Sequence, residues 1–392
     1  MELKNGIHLA YCTNIHPAET WAETLASLEQ NTLKVREAVL PRELHKPYAI
    51  GLRLSELASR ELAQPKALGE FREWLKRNGC YVFTINGFPY GQFHGSRVKE
   101  QVYRPDWSTP ERLDYTRRLF IILSGLLDLA PPGCEGSVST LPGSFKAFGL
   151  NQDEHEAILQ NLWACIDHIE ALSTSTGRAL HLGLEPEPLG LFETTGETIA
   201  FFEQLAAQRP GDPRWRSFLG VNYDVCHLAC EYEEPAESFA AFQEHGIRIS
   251  KIHLSSALRL RPSPAAREAL RPFIDEVYLH QVIAATGDRR LSRYLDLDEA
   301  LQTPEHLDET EWRVHFHVPL HMEDGELLGT TSMEAIQVLE LLAANPSLCR
   351  HLEMETYTWS VLPAGLRSRD VVEQLFAEYA WCFSQLERVG LK

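Results

Sequence analysis

The sequence predicts an α/β fold, a single (β/α)8 TIM barrel over residues 1–392 with an insertion after strand seven. Three observations predict it. Short apolar, β-rich runs alternate with longer amphipathic stretches along the chain, the pattern of a parallel sheet covered by helices. No glycine fingerprint of a doubly wound nucleotide-binding sheet follows any run. No Pro/Gly/Ser-rich linker, low-complexity tract or fixed-period repeat divides the chain, which argues for one domain.

The first strand is expected at Ile7–Cys12, followed by a helical stretch from about Pro17 to Val39, with proline tolerated in a first helical turn. Ala49–Leu54 is the second strand, and Ser55 is placed to cap the next helix. Cys80–Asn86 is the third. A helix ending near Pro131-Pro132-Gly133 leads into the fourth, Gly136–Leu141. Leu180–Glu185, Leu219–Asp224 and Arg248–Leu254 are the fifth, sixth and seventh. Two more runs look extended, Trp312–Val318 and Leu352–Tyr357, which makes nine candidates for eight places. The last is taken as strand eight. Ser255–Trp312 is too long for a simple loop, so it is read, with the His315 run, as an excursion carrying its own helices.

Composition narrows the partners. With 37 Lys+Arg against 55 Asp+Glu the formal charge is -18. Such a surface repels phosphate backbones and anionic lipid, so no nucleic-acid partner is expected, and a metal or a neutral or cationic small molecule suits the field better. The eight cysteines are scattered, several inside apolar runs such as Gly79–Phe83, as reduced buried cysteines are. Cys226 and Cys230 lack a second pair, so a cysteine-only zinc site is not expected. Met1–Gly6 has no secretory pattern, and no stretch approaches the roughly 18 apolar residues of a membrane span. A cytoplasmic protein is expected, with homo-oligomerisation left open.

The chemistry is signalled by position. Glu185, Asp224, His253 and Glu355 fall at the C-terminal ends of four strands. In a barrel those ends meet at one mouth, where active sites lie. Three carboxylates and an imidazole at one rim repel each other without a cation. A divalent ion with oxygen and imidazole ligands (Mn, Mg, Co, Fe or Zn) supplies the missing charge. Glu187 and Glu353 are each two residues from a chosen carboxylate and remain alternatives. Glu185 is preferred because it directly follows Gly183-Leu184, and Glu355 because it leads into Thr356-Tyr357.

Asp224-Val225-Cys226-His227 turns so that His227 points back to the mouth, as ligand, proton carrier or support for a ligand. In an extended chain His315 and His317 face the same side. His317 is taken as a further metal ligand and His315 as a substrate contact. Lys251 shares a strand face with His253, and Glu193 lies in the loop after strand five. Both are taken as substrate contacts. The aromatic, glycine-punctuated loop Asn86–Gly95 is expected to wall the pocket.

The stretches Gly183–Glu185, Gly220–His227, Lys251–His253 and Met354–Thr356 resemble the xylose-isomerase-like barrel superfamily, which includes sugar isomerases, ketose epimerases and an apurinic endonuclease type. That resemblance implies Glu185, Asp224, His253 and Glu355 as metal ligands and His227 at the site. More narrowly, Thr84–Tyr90, Gly136–Gly143, Val314–Pro319 and Glu355–Trp359 are similar to the EboE type of metabolite traffic protein, associated with secondary-metabolite precursors. The chain departs from the endonuclease pattern at 315, where His stands in a place that usually carries Asp.

The leading expectation is a metal-dependent isomerase or epimerase acting on a small polyhydroxylated or carbonyl metabolite, with Glu185 or Glu355 as base and His227 assisting. The rivals are a zinc hydrolase in which His315 and His317 hold further metal, and a barrel that binds or traffics a metabolite without turnover.

Overall fold

The structure, a computed structural model, describes residues 1–41, 46–95, 97–304, 308–368 and 370–392. Seven strands come first: β1 His8–Tyr11, β2 Tyr48–Arg53, β3 Cys80–Asn86, β4 Gly136–Thr140, β5 Leu180–Leu184, β6 Leu219–Asp224 and β7 Arg248–Leu254. The excursion then contributes β8 Leu258–Leu260, β9 Val282–Thr286, β10 Leu291–Tyr294, β11 Glu309–Val314 and β12 Gly329–Thr330. β13, His351–Met354, follows.

The eight parallel strands run in the order β1-β13-β7-β6-β5-β4-β3-β2. A parallel bridge from Cys12 to Gly51 joins the two ends of that order and closes the ring. These strands are buried along almost their whole length, which is why they read as continuous apolar runs rather than alternating ones. Helices cover the outside, and local signals start and stop them. Ser55 accepts from the Ala58 amide at the head of the helix Glu56–Leu62. Asn151 and Glu154 form a reciprocal cap on Gln152–Thr176, and Gly177, at φ 68°, ends it in the left-handed conformation glycine tolerates. The expected 17–39 helix begins later, at Trp21 behind a Thr20–Glu23 cap, and passes through a wider turn over Leu28–Thr32.

The excursion after β7 carries helices of its own, as expected, together with a sheet that was not foreseen. It contains the helices Pro264–Leu270 and Leu297–Gln302, but its body is a five-stranded antiparallel sheet in the order β10-β9-β11-β8-β12. Residues 305–307 of it lie outside the described residues. Trp312 and Val314 pair across to Ala284 and Val282 and fill a second apolar cluster with Leu258, Leu260, Phe273 and Phe316. The His315 run is therefore the continuation of β11, leaving this small sheet. Val318 N donates to Ser256 O, which lays the run over the C-terminal end of β7. No helix of the described residues is long and apolar enough to cross a membrane.

The barrel interior holds charged and polar side chains, among them Lys251, His253 and Glu353. Gly51 in β2 makes room for this: a Cβ there would lie 1.8 Å from Glu353 Oε1 and 2.7 Å from Tyr11 O. Gly51→Ala is expected to lower the unfolding free energy by about 1–3 kcal/mol, as overpacking does. The midpoint of urea denaturation checks it.

Behind the last strand, Glu378 in the helix Val371–Arg388 accepts from Thr356 Oγ1 at 2.6 Å and from the Leu320 amide at 3.2 Å. Burial outweighs these donors and pushes its carboxyl up to about 7. The folded state thus keeps this proton to higher pH than the unfolded chain. Its stabilising contribution is complete below pH 4.5 and is lost as pH rises through 7, on the order of 3 kcal/mol. Stability measured from pH 4.5 to 8 is expected to decline less steeply for Glu378→Gln.

Candidate metal centre

Each of the four strand-end residues arrives by the same route. A buried strand runs to the mouth, and a residue at its end or one position from it carries the polar group. Glu185 directly follows β5, Asp224 closes β6, His253 is next to last in β7, and Glu355 follows β13. Their ligand atoms lie within 4.8 Å of one another, and all four residues are buried. His253 Nδ1 is the focus: Glu355 Oε2 is 2.8 Å away, Glu185 Oε1 3.1 Å and Asp224 Oδ2 3.3 Å.

The outer oxygens are already held. Asn14 and Asn86 donate their amides to Glu355 Oε1, at 2.6 and 3.1 Å. Asp224 Oδ1 accepts from Ser255 Oγ at 2.7 Å and from the His227 amide at 3.0 Å. Asp224 Oδ2 and Glu185 Oε2 have no hydrogen-bond partner although they are buried. Glu355 and Asp224 are thus held from behind with their other oxygens toward His253 Nδ1.

On its far side, His253 Nε2 sits 3.0 Å from Glu353 Oε2, which also accepts from Lys251 Nζ at 2.6 Å. The carboxylate can only accept, so it fixes Nε2 as the protonated nitrogen and leaves the Nδ1 lone pair for the cluster. Asn222 Nδ2, 3.4 Å away, points a donor at that same nitrogen. Without a metal, burial works against an imidazolium, but Glu355 and Glu185 overcome it and raise His253 well above its usual range. The centre demands positive charge. A proton satisfies one acceptor, whereas a divalent cation satisfies all four ligands, so the residues fit one.

A second group adjoins the first. His315 Nδ1 lies 2.8 Å from Gln281 Oε1, and the Gln281 amide is oriented by donating to Pro188 O at 3.1 Å. His317 Nδ1 lies 2.9 Å from Glu355 O, and His227 Nδ1 3.3 Å from Pro186 O. All three acceptors are carbonyl oxygens, which assigns the proton of each neutral ring to Nδ1 and turns each Nε2 lone pair inward. His227 Nε2 and His317 Nε2 then face each other at 3.2 Å with no proton between them, and His315 Nε2 is unpartnered. Burial lowers both His227 and His315, His315 far more, which keeps them neutral and able to ligate. Asp224 lies within ligand distance of His227 and His317, so it borders both groups.

Of the expected site residues, Glu185, Glu355, His227 and His315 line the cavity above this cluster, and Asp224, His253 and His317 sit behind them. Two expectations are corrected. Lys251 does not reach the cavity: its ammonium lies inside the barrel between Ser139 Oγ, at 2.9 Å, and Glu353, because strand alternation puts 251 one layer beneath 253. Glu193 is turned from the cavity and held by Lys146, the Leu189 amide and Arg293. Glu187 and Glu353, weighed as alternatives, have places of their own. Glu187 lines the cavity, and burial, then the charge of Glu185, raises its carboxyl well above the usual range. Asn14 and Asn86 went unassigned, although Asn86 ends β3 as Asp224 ends β6. Gln281 gave no sequence signal, since its role depends on how the excursion folds.

No protein-family model matches the sequence, and no curated protein matches it. Among solved structures, a xylose isomerase-like TIM barrel protein from Mycobacterium smegmatis in complex with magnesium superposes with a TM-score of 0.53 at 13% identity, covering 98% of this chain and 97% of that one. A D-tagatose 3-epimerase-like protein superposes with a TM-score of 0.50 at 13% identity, covering 97% and 98%. At this identity the likeness shows the fold alone, a TIM barrel.

Lys251 and Glu353 compensate each other's buried charge, so removing one partner strands the other. Glu353→Gln is expected to cost about 3–5 kcal/mol, and Lys251→Met/Glu353→Gln to recover most of that. Denaturant unfolding of the two proteins checks the ordering.

Proposed function

We propose that this chain is a divalent-metal-dependent enzyme of the isomerase or epimerase kind, with Glu185, Asp224, His253 and Glu355 as ligands, acting on a small hydroxy-carbonyl metabolite. The observation that carries the reading is the convergence of three carboxylate oxygens on His253 Nδ1, within 3.3 Å. Bound there, a divalent cation supplies Lewis-acid polarisation of neighbouring substrate oxygens.

The chain's own residues supply the proton chemistry. Glu185 Oε2 is unpartnered and its residue lines the cavity, which supports it as the group that takes a proton from a carbon beside a carbonyl. Glu355 is less free, since Asn14 and Asn86 hold one of its oxygens. Glu187, two residues from Glu185 and kept protonated by burial and by that neighbour, is the matching acid. His227 and His315 line the cavity wall and orient the substrate.

A second reading has its own support. The facing lone pairs of His227 and His317, with unpartnered His315 Nε2, favour a second cation sharing Asp224, as a hydrolase would use. The narrower reading as an EboE-type metabolite traffic protein rests on sequence stretches such as Val314–Pro319 and Glu355–Trp359. A cytoplasmic location is supported by eight unpaired cysteines, seven of them buried.

The test is calorimetric titration of metal-stripped protein with Mn2+ and Zn2+. Asp224→Ala is expected to weaken binding by about 100-fold or more, and unchanged binding would remove the reading. One metal per chain supports the isomerase. Two per chain, falling to one in His317→Ala, supports the second reading.

A further inference from the structure

The cavity over the cluster has a polar floor and unlike walls. The floor carries Glu185, Glu187 and Glu355. Lys99 is the cation among the described lining residues, and its ammonium is already engaged by the Asp296 carboxylate and the Asp275 carbonyl. No arginine is among the lining residues described. A phosphate or carboxylate on the part of the substrate away from the floor would therefore be buried without a free cationic side chain to meet it, a costly placement.

Away from His227, His315 and Gln281, the walls are rings and aliphatic groups. Phe93, Tyr278 and Tyr357 pack with centroids 5.1 to 5.3 Å apart. They come from three separate segments: the loop after β3, the excursion and the stretch after β13. Phe88 and Tyr103 form a second pair, 5.7 Å apart. The Tyr278 hydroxyl bonds His94 Nδ1 at 2.6 Å, so it is not free to serve a polyol. A sugar chain needs donors and acceptors along its whole length, and these walls offer carbon.

We infer that the substrate joins an oxygen-rich head, a hydroxy-carbonyl or vicinal diol seated on the floor, to an uncharged, planar apolar body held by these rings. The head rests on the function proposed above, whereas the body rests on the walls alone. A phosphorylated or fully hydroxylated sugar does not match this site.

The experiment titrates Mn2+-loaded protein with three small probes that share one head. They are 2-hydroxyacetophenone, with an aryl body; dihydroxyacetone, with none; and dihydroxyacetone phosphate, with an anionic one. The aryl probe is expected to bind about 10-fold tighter than dihydroxyacetone, from ring contact and apolar burial, and the phosphate no tighter than dihydroxyacetone. Phe93→Ala should remove most of the aryl preference while metal binding stays unchanged. Phe93→Leu, which keeps apolar volume without the ring, should remove part of it. Tighter binding of the phosphate, or equal binding of dihydroxyacetone and the aryl probe, overturns the inference. The two readings fail separately. Metal bound with the wrong probe ranking sinks only the substrate class. Should no metal bind, the proposed function falls, and the aryl-over-dihydroxyacetone ranking, measured on the metal-free protein, still decides the wall.

Discussion

Charge compensation inside the barrel governs how this protein is built. Glu353, Lys251, His253, Asp224, Glu185 and Glu355 all lie almost wholly out of water, where an unpaired charge is expensive. The lower layer solves this internally. Lys251 draws Glu353 down to about 2 in spite of burial, with His253 adding to the pull. The upper layer has more acid than base among its own residues. That imbalance is tolerable because the lower layer holds His253 in one orientation and the asparagines and Ser255 hold the carboxylates. The groups cannot turn away from each other, and the cluster stays an acceptor of positive charge.

Much of the barrel was legible because parallel strands buried on both sides leave an unmistakable apolar run, and because strand ends share one rim. The same logic brought Glu185, Asp224, His253 and Glu355 together on paper. It failed where depth matters. Lys251 looked like a rim residue because it shares a face with His253, but two residues along a strand is about 6–7 Å, a full layer of the interior. Glu193 failed differently: a loop residue's direction is set by its partners, here Lys146 and Arg293, and those partners are remote in sequence. The sheet within the excursion went unforeseen because its strands are short and pair out of chain order, β9 beside β11 and β11 beside β8.

That excursion is more than an ornament on the barrel. It delivers His315 and His317 as β11 runs out of its sheet, and it brings Gln281 and Tyr278 to the same cavity. It is also tied to the loop after β3. The Val98 and Lys99 amides both donate to Val277 O at 2.9 Å, and Lys99 meets Asp296. Lys99 holds a left-handed backbone at φ 40° to do so, a conformation that only surrounding contacts sustain. Floor and roof of the cavity thus belong to different parts of the fold, and the roof is assembled by the meeting of two loops.

The pairing of Gln281 with His315 gives the small sheet an influence beyond its own core. Gln281 stands next to Val282, the residue opposite Val314, and its amide reads a barrel carbonyl with one end and an imidazole with the other. A slip of one residue between β9 and β11 would swap inward for outward side chains and leave that ring without its orienting contact. Strand alignment in a peripheral sheet thereby bears, through a single amide, on which nitrogen of His315 holds hydrogen.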